Sequence, residues 1–374
     1  MKIGIMTFWQ AKENYGQILQ LYALYSFFEE RGHEPYLIRY DRLQGDKGSI
    51  CRRLLDKIEY LFRPRRLFRI LYVRIKFQKK GGVNDRGFQQ FVNRYIKVTD
   101  RVYHSLVELQ RYPPLADVYV CGSDQIWNQD KNSYSPAFFL DFGPDSVNRI
   151  SYAASFGKKN ITNNLAHKII PLLKRFQLVT VREEEGVDIC NRIGIKAYRT
   201  PDPTMIVGLD CYEKLLYKDK AYNSPYAMLY LLGHNTHVPF DEIYKWASFN
   251  SLQIRYVASD HRYDKYKKET PSINQWVQMV KNAKYIVTNS FHGTVFAILF
   301  NVPFVTLPLT GPFEAMNGRI RSLLKDYGLE NRFLTQGVAI KDVLEYPIDF
   351  SVVNEITDQR RKNAISLLDS CVKI

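Results

Sequence analysis

The sequence predicts an α/β protein built as two doubly wound domains that face each other across a cleft. Three observations predict it. Short apolar runs alternate with longer stretches whose apolar positions recur at spacings of three and four, the pattern of βα units on parallel sheets. The alternation breaks once, at Arg199-Thr-Pro-Asp-Pro-Thr204, and resumes after a Tyr- and Lys-rich stretch that ends at Pro225. A chain of 374 residues also suits two domains of about 100–200 residues each.

In the first block, strands are expected at 2–8, 35–40, 117–121, 149–153 and 178–181, with helices at 17–31, near 163–176 and near 183–193. In the second, strands are expected at 226–232, 253–257, 284–288 and 304–307, and helices near 241–249, 273–282, 293–300 and 319–327. A last helix at about 354–368 is free to pack on either block. The domain boundaries that follow are 1–205, with a basic amphipathic insertion at about 50–86, then 206–350, then a C-terminal helical segment 351–374.

With 45% apolar and 24% charged residues the composition is that of a globular protein and excludes a disordered one. No window approaches the roughly 20 continuous apolar residues that span a bilayer, and the opening MKIGIMTFWQ has no signal-peptide pattern. The five cysteines, at 51, 121, 190, 211 and 371, are odd in number and lack CxxC spacing, which argues for a reducing cytoplasm and against a disulfide framework or thiolate metal site. The formal net charge is +15, and twelve Lys and Arg oppose three acidic residues between Cys51 and Arg86. Apolar residues interleave with those cations at helical spacing, broken at Pro64. Two readings stand side by side: a peripheral contact with an anionic membrane face, and a solvated helical hairpin. No nucleic-acid motif accompanies the charge, so nucleic acid is not an expected partner.

In open parallel sheets ligands bind beyond the carboxyl ends of strands, so the residues just after each strand are the candidates. Asn14-Tyr15-Gly16 precedes the first helix, where a glycine admits a substrate to the backbone and first-turn N–H groups suit an anion or a sugar hydroxyl. Neither GxGxxG nor a P-loop is present. Gly122-Ser123-Asp124-Gln125-Ile126-Trp127-Asn128 follows the third strand. There Ser123, Asp124 and Gln125 are expected to read sugar hydroxyls and Trp127 to stack on a sugar face, with a capped turn and a half-buried Trp as the structural alternative. Arg182 ends a strand and faces the cleft unless it pairs with one of Glu183, Glu184 and Glu185. The sharpest pattern is Thr288-Asn289-Ser290-Phe291-His292-Gly293: Asn289 or Ser290 caps a helix and His292 lies in its first turn, where the positive helix end draws an anion and the imidazole can protonate it. Arg319 and Arg321 open a later helix and offer two guanidiniums to the same cleft.

With these residues in place the chain resembles the polysaccharide pyruvyl transferase family. The resemblance runs from Met1 to about Leu329 and rests on Asn14–Gly16, CGSDQIWN at 121–128, SYAASFG at 151–157, VRE around Arg182, DPT at 202–204, NSFHGTVFAILFNVPF at 289–304 and the run from Arg319. It implies two Rossmann-like domains in a GT-B-like arrangement. It further implies transfer of a pyruvyl group from phosphoenolpyruvate, a co-substrate, onto two hydroxyls of a sugar acceptor, giving a cyclic ketal, with no other cofactor and no metal. By the same resemblance His292 matches the active-site histidine and Arg182 the arginine that binds the donor. Where the family often carries Arg-Leu-His this chain has Ser290-Phe291-His292, so Arg319 or Arg321 replaces the missing cation or the donor differs. The roles expected on this basis are His292 as acid, Arg182 and Arg319 as its clamp, and Asp124 as base for the acceptor hydroxyl. The acceptor is expected to be a polysaccharide or lipid-linked precursor at the inner membrane face. Two alternatives are a GT-B glycosyltransferase using a nucleotide sugar and a non-catalytic saccharide-binding protein on the same fold.

Overall fold

The apolar N-terminal run Lys2–Met6 becomes strand β1 of the computed structural model, which describes residues 1–41, 85–129, 134–217, 224–233, 237–260, 262 and 264–371. β1 pairs in parallel with β2 (Glu34–Leu37) on one side and β3 (Val118–Cys121) on the other, and β4 (Asn148–Ser151) follows, giving the order β2-β1-β3-β4. A further parallel pair, β5 (Thr180–Val181) and β6 (Tyr198–Arg199), continues this layer through bridges at Ile150–Leu178 and Ala154–Val181. The second sheet takes β7 (Tyr226–Leu231), β8 (Gln253–Ala258), β9 (Tyr285–Thr288) and β10 (Phe304–Thr306) in the parallel order β10-β9-β7-β8. β3 and β7 are buried along their whole length, as strands covered on both faces must be, which explains their unbroken apolar runs. The fold is thus the expected α/β one, with parallel sheets in both halves.

Two helices join the halves. The helix Tyr15–Glu29 covers the first sheet, yet its first residue stacks on Trp276 of the second half (5.3 Å, 11°) and donates its hydroxyl to Pro271 O at 2.6 Å. The helix starts at Tyr15 rather than residue 17, and that extra half-turn is what carries it across. The C-terminal helix Phe350–Cys371 packs on both halves: Arg361 Nε donates to Met205 O (3.2 Å) and Arg360 pairs with Asp326 (2.9 Å). β6 and the short helices Leu106–Arg111 and Ile340–Glu345 were not legible as elements, being too short to show a period.

Among the described residues no helix is long and apolar enough to cross a membrane. The basic amphipathic insertion expected at about 50–86 lies outside the described residues apart from its end. There Arg86 is a buried side chain rather than a surface cation, donating to Ala258 O (2.8 Å) and Asp260 Oδ1 (2.5 Å) across the junction of the halves.

Candidate active site

A cleft of about 320 Å³ opens between the halves. Its walls come from the loops after β1 and β3 and from those after β7, β9 and β10, the strand ends at which a doubly wound sheet binds ligands. Asn14, Asp124, Gln125, Asn289, Ser290, His292 and Arg319 all line it. Gly16, Ser123, Trp127, Arg182 and Arg321 do not.

His292 is the second residue of the helix Phe291–Leu299. Ser290 caps that helix, its Oγ accepting from Gly293 N at 3.3 Å, and so leaves the first-turn N–H groups and the positive helix end directed at the cleft. Asn289 does not cap. Its side-chain amide exchanges two 2.8 Å hydrogen bonds with the backbone of Leu232 and ties the loops after β7 and β9 together. The His292 ring is held from the opposite half. A Cβ on Gly16 would lie 2.0 Å from His292 Cγ, so only glycine fits there; Gly16 is a packing residue, not a backbone surface for substrate. His292 Nε2 is buried without a hydrogen-bond partner and lies 3.6 Å from Asp202 Oδ2.

Asp202, just past the first block of strands, is the centre of the network behind the histidine. Its Oδ1 accepts from Thr204 N (3.0 Å) and Oγ1 (2.8 Å), and its Oδ2 accepts from Ser123 Oγ (3.2 Å) and Arg182 Nη1 (2.9 Å). Burial works against the Asp202 charge, but His292, Arg182 and the Thr204 N–H outweigh it and hold the carboxyl well below the usual carboxylate range. Ser123 is therefore an internal bracket: its N–H donates to Gln20 Oε1 (3.0 Å) and its hydroxyl is also within reach of Ala153 O (2.9 Å).

Arg182 does not face the cleft as expected. It is 4% exposed, 3.1 Å from Glu183, 2.9 Å from Asp202 and 3.8 Å from Asp124, with its guanidinium 4.5 Å over the Phe291 ring. Burial alone would lower its pKa, and the three carboxylates reverse that and raise it. It braces Asp202, Asp124 and Phe291 instead of offering a free clamp. Arg319 is the cation that reaches the ligand space. Its Nε is buried without a partner, and burial first, then the Arg182 charge, push its pKa down to about 10 despite three nearby carboxylates. A guanidinium so short of counter-charge gains from any anion that enters. Arg321, two residues on, points to another helix face: it is exposed and lies 4.0 Å over the Phe333 ring.

The first-half wall is chemically different. Asp124 sits at φ 65, an uncommon conformation for a non-glycine residue, and accepts from Gln17 Nε2 at 3.5 Å. Asn14 Oδ1 and Gln125 Nε2 are buried atoms without partners, one an acceptor and one a donor. Trp127 is not the stacking face it was expected to be. It is fully buried, stacks on Phe139 (5.3 Å, 7°) and donates Nε1–H to Phe138 O (2.9 Å). Phe8 and Phe313 line the cleft instead. Among the described residues no group of three or more His, Cys, Asp or Glu could hold a metal ion.

The family model described as "Polysaccharide pyruvyl transferase" matches residues 14–309. No curated protein matches the chain in sequence. Among solved structures it is similar to a putative UDP-N-acetylglucosamine 2-epimerase from Listeria monocytogenes (TM-score 0.52, 9% identity, 97% of this chain and 90% of that one). It is also similar to the S. aureus MnaA–UDP co-structure (TM-score 0.52, 11% identity, 99% and 96%). At such identities these likenesses establish the GT-B-like fold alone.

Proposed function

The chain belongs to the polysaccharide pyruvyl transferase family of transferases, and we propose that it moves the pyruvyl group of phosphoenolpyruvate onto two hydroxyls of a sugar, forming a ketal and releasing phosphate. The observation that carries this reading is the pairing, in one cleft, of an imidazole at a helix N-terminus with an under-neutralised guanidinium, His292 and Arg319. Phosphoenolpyruvate becomes electrophilic at C2 when C3 takes a proton. The site must therefore supply an acid beside a dianion and fixed positive charge to hold that dianion. His292 is the acid. Arg319 and the N–H groups that open the Phe291–Leu299 helix hold phosphate and carboxylate, in the place of the Arg that Ser290 lacks. General acid catalysis contributes about 10²–10⁴-fold, and preorganised positive groups in a closed site contribute comparably.

The acceptor lies against Asn14, Asp124 and Gln125. Asp124, already held by Gln17, takes the proton of the attacking hydroxyl. Attack at C2, loss of phosphate with its C–O electron pair, and a second attack complete the ketal; of the two hydroxyl protons, one replaces that given to C3 and one leaves with phosphate. Among the described residues, those of the second half that line the cleft include no carboxylate to take a ribose diol, which favours phosphoenolpyruvate over a nucleotide sugar as donor. The nine-charge excess of residues 52–80, eleven Lys and Arg against two acidic residues, supports an acceptor presented at an anionic membrane; loss of residues 52–80 with unchanged liposome binding would refute that part.

The deciding experiment offers phosphoenolpyruvate, or a panel of nucleotide sugars, together with an array of sugar acceptors. Phosphate release with a ketal product is expected from the first and no nucleoside diphosphate from the second. The reverse result replaces this reading with that of a glycosyltransferase. Glycan binding without turnover replaces it with that of a binding protein.

A further inference from the structure

In the sequence Asp202 belongs to the Pro-marked break between the two blocks and to the DPT run at 202–204, with no role assigned to it, yet the side chains behind the cleft converge on it. It is 1% exposed. Because Oδ1 is committed to Thr204, Oδ2 alone meets Ser123, Arg182 and, at 3.6 Å, His292 Nε2. Nε2 is buried while the ring lines the cleft, so Nδ1 is the nitrogen left to the ligand. A carboxylate beside one ring nitrogen fixes the tautomer and rotation of an imidazole and favours its protonated form.

The structure assigns Asp202 as the positioning residue of His292: from the opposite half of the molecule it holds Nε2–H, turns Nδ1–H into the cleft and stabilises the proton that the ring delivers. The assignment rests on the reading of His292 as the acid toward phosphoenolpyruvate. When the Nδ1 proton passes to C3, the π pair of the donor forms the C–H bond, positive charge develops at C2, and the ring is left neutral with Nε2–H still directed at Asp202, which stays ionised throughout. Among the described residues no other charged group around the ring can do this. Arg182 and Arg319 are cations and oppose protonation. Glu183 is taken by Ser155 Oγ (2.7 Å) and Arg182. Asp124 faces Gln17 and Arg182. Tyr15, behind Gly16, is held in its neutral form by burial. The helix Phe291–Leu299 has no second titratable side chain. A 3.6 Å separation suits a site whose catalytic hydrogen bonds tighten when the ligand arrives.

The test uses the full chain and Asp202→Asn, whose side chain preserves shape but not charge. Ring NMR, with His292→Ala for assignment, is expected to show a changed ratio of the two His292 ring tautomers in Asp202→Asn. In the wild type the neutral ring is expected as the Nε2–H tautomer. With phosphoenolpyruvate and an acceptor, Asp202→Asn should lower kcat by at least about tenfold and move the alkaline limb of the pH profile down, while KM for phosphoenolpyruvate stays within about threefold. The double variant with His292→Ala should lose no more than His292→Ala alone. An unchanged tautomer ratio in a folded Asp202→Asn, a wild-type Nδ1–H tautomer, or fully additive losses would each overturn the assignment. Should Asp202→Asn fail to fold, the wild-type tautomer decides. If phosphoenolpyruvate is not the substrate, the wild type shows no turnover either, and the two NMR measurements still judge Asp202.

Discussion

The two walls of the cleft are the same structural unit used twice, a parallel strand running into a loop and a helix, and they carry opposite chemistry. On the first-half wall the loops after β1 and β3 place Asn14, Gln17, Asp124 and Gln125, neutral amides and a carboxylate suited to hydrogen-bonding hydroxyls one at a time. On the second-half wall the loop after β9 commits its polar groups to backbone, Asn289 to Leu232 of the loop after β7 and Ser290 to Gly293, so that a helix end and His292 face the cleft. The sheets contribute the same geometry to both walls. What separates the two walls, and in the proposed function would make one suit an anion and the other hydroxyls, is whether the loop's side chains are used up in capping and bracing or left free to meet a ligand.

That contrast predicts variants that damage one substrate and spare the other. The largest effect is expected of His292→Ala, a loss of at least about 10²-fold in turnover with the fold intact by circular dichroism; full activity would end the division of labour outright. Gly16→Ala comes next. Its methyl group meets the His292 ring, so a destabilisation of about 1–3 kcal/mol in denaturant titration is expected, with turnover lowered by up to about 10²-fold through a misplaced acid. An unperturbed Gly16→Ala would mean that the halves do not meet there in solution. Arg319→Met should weaken phosphoenolpyruvate binding by about 1.5–3 kcal/mol, roughly ten- to a hundredfold by calorimetry, leaving acceptor KM alone, whereas Arg321→Ala should change neither. The smallest effect belongs to Gln125→Ala: a rise in acceptor KM of a few fold, about 0.5–1.5 kcal/mol, with phosphoenolpyruvate binding unmoved. A variant that shifted both affinities together would dissolve the distinction between the walls.

The strand ends and His292 were legible because each is a local signal, an apolar run stopping at a cap and a histidine in a helical first turn. Asp202 was not. Its partners Ser123, Arg182 and His292 lie 79, 20 and 90 residues away in the chain, and within the chain a Pro-flanked Asp reads as turn chemistry, which its Thr204 bonds indeed are. Trp127 misled for the complementary reason. Its polar neighbours suggested a ligand face, while the residues that bury it, Phe138 and Phe139, belong to a separate 3-10 turn. The contrast between Arg319 and Arg321 could have been drawn from the sequence, since residues two apart on a helix do not share a face. For Arg182 the alternative of a pair with one of the adjacent glutamates was legible and is met by Glu183, whereas Asp124 and Asp202, brought to it by other loops, were not.

The close fit of Gly16 and Asp202 around the His292 ring has a consequence for the timing of the chemistry. Both come from one jaw of the molecule and the ring from the other, so the acid is assembled only while the jaws are shut. Were they to part, the imidazole would face water without its counter-ion, and a donor caught in the open form would meet no proton ready to activate it. In the proposed reaction an oxocarbenium would then form only where the two halves meet around the ring, and the join between them would guard against wasteful hydrolysis.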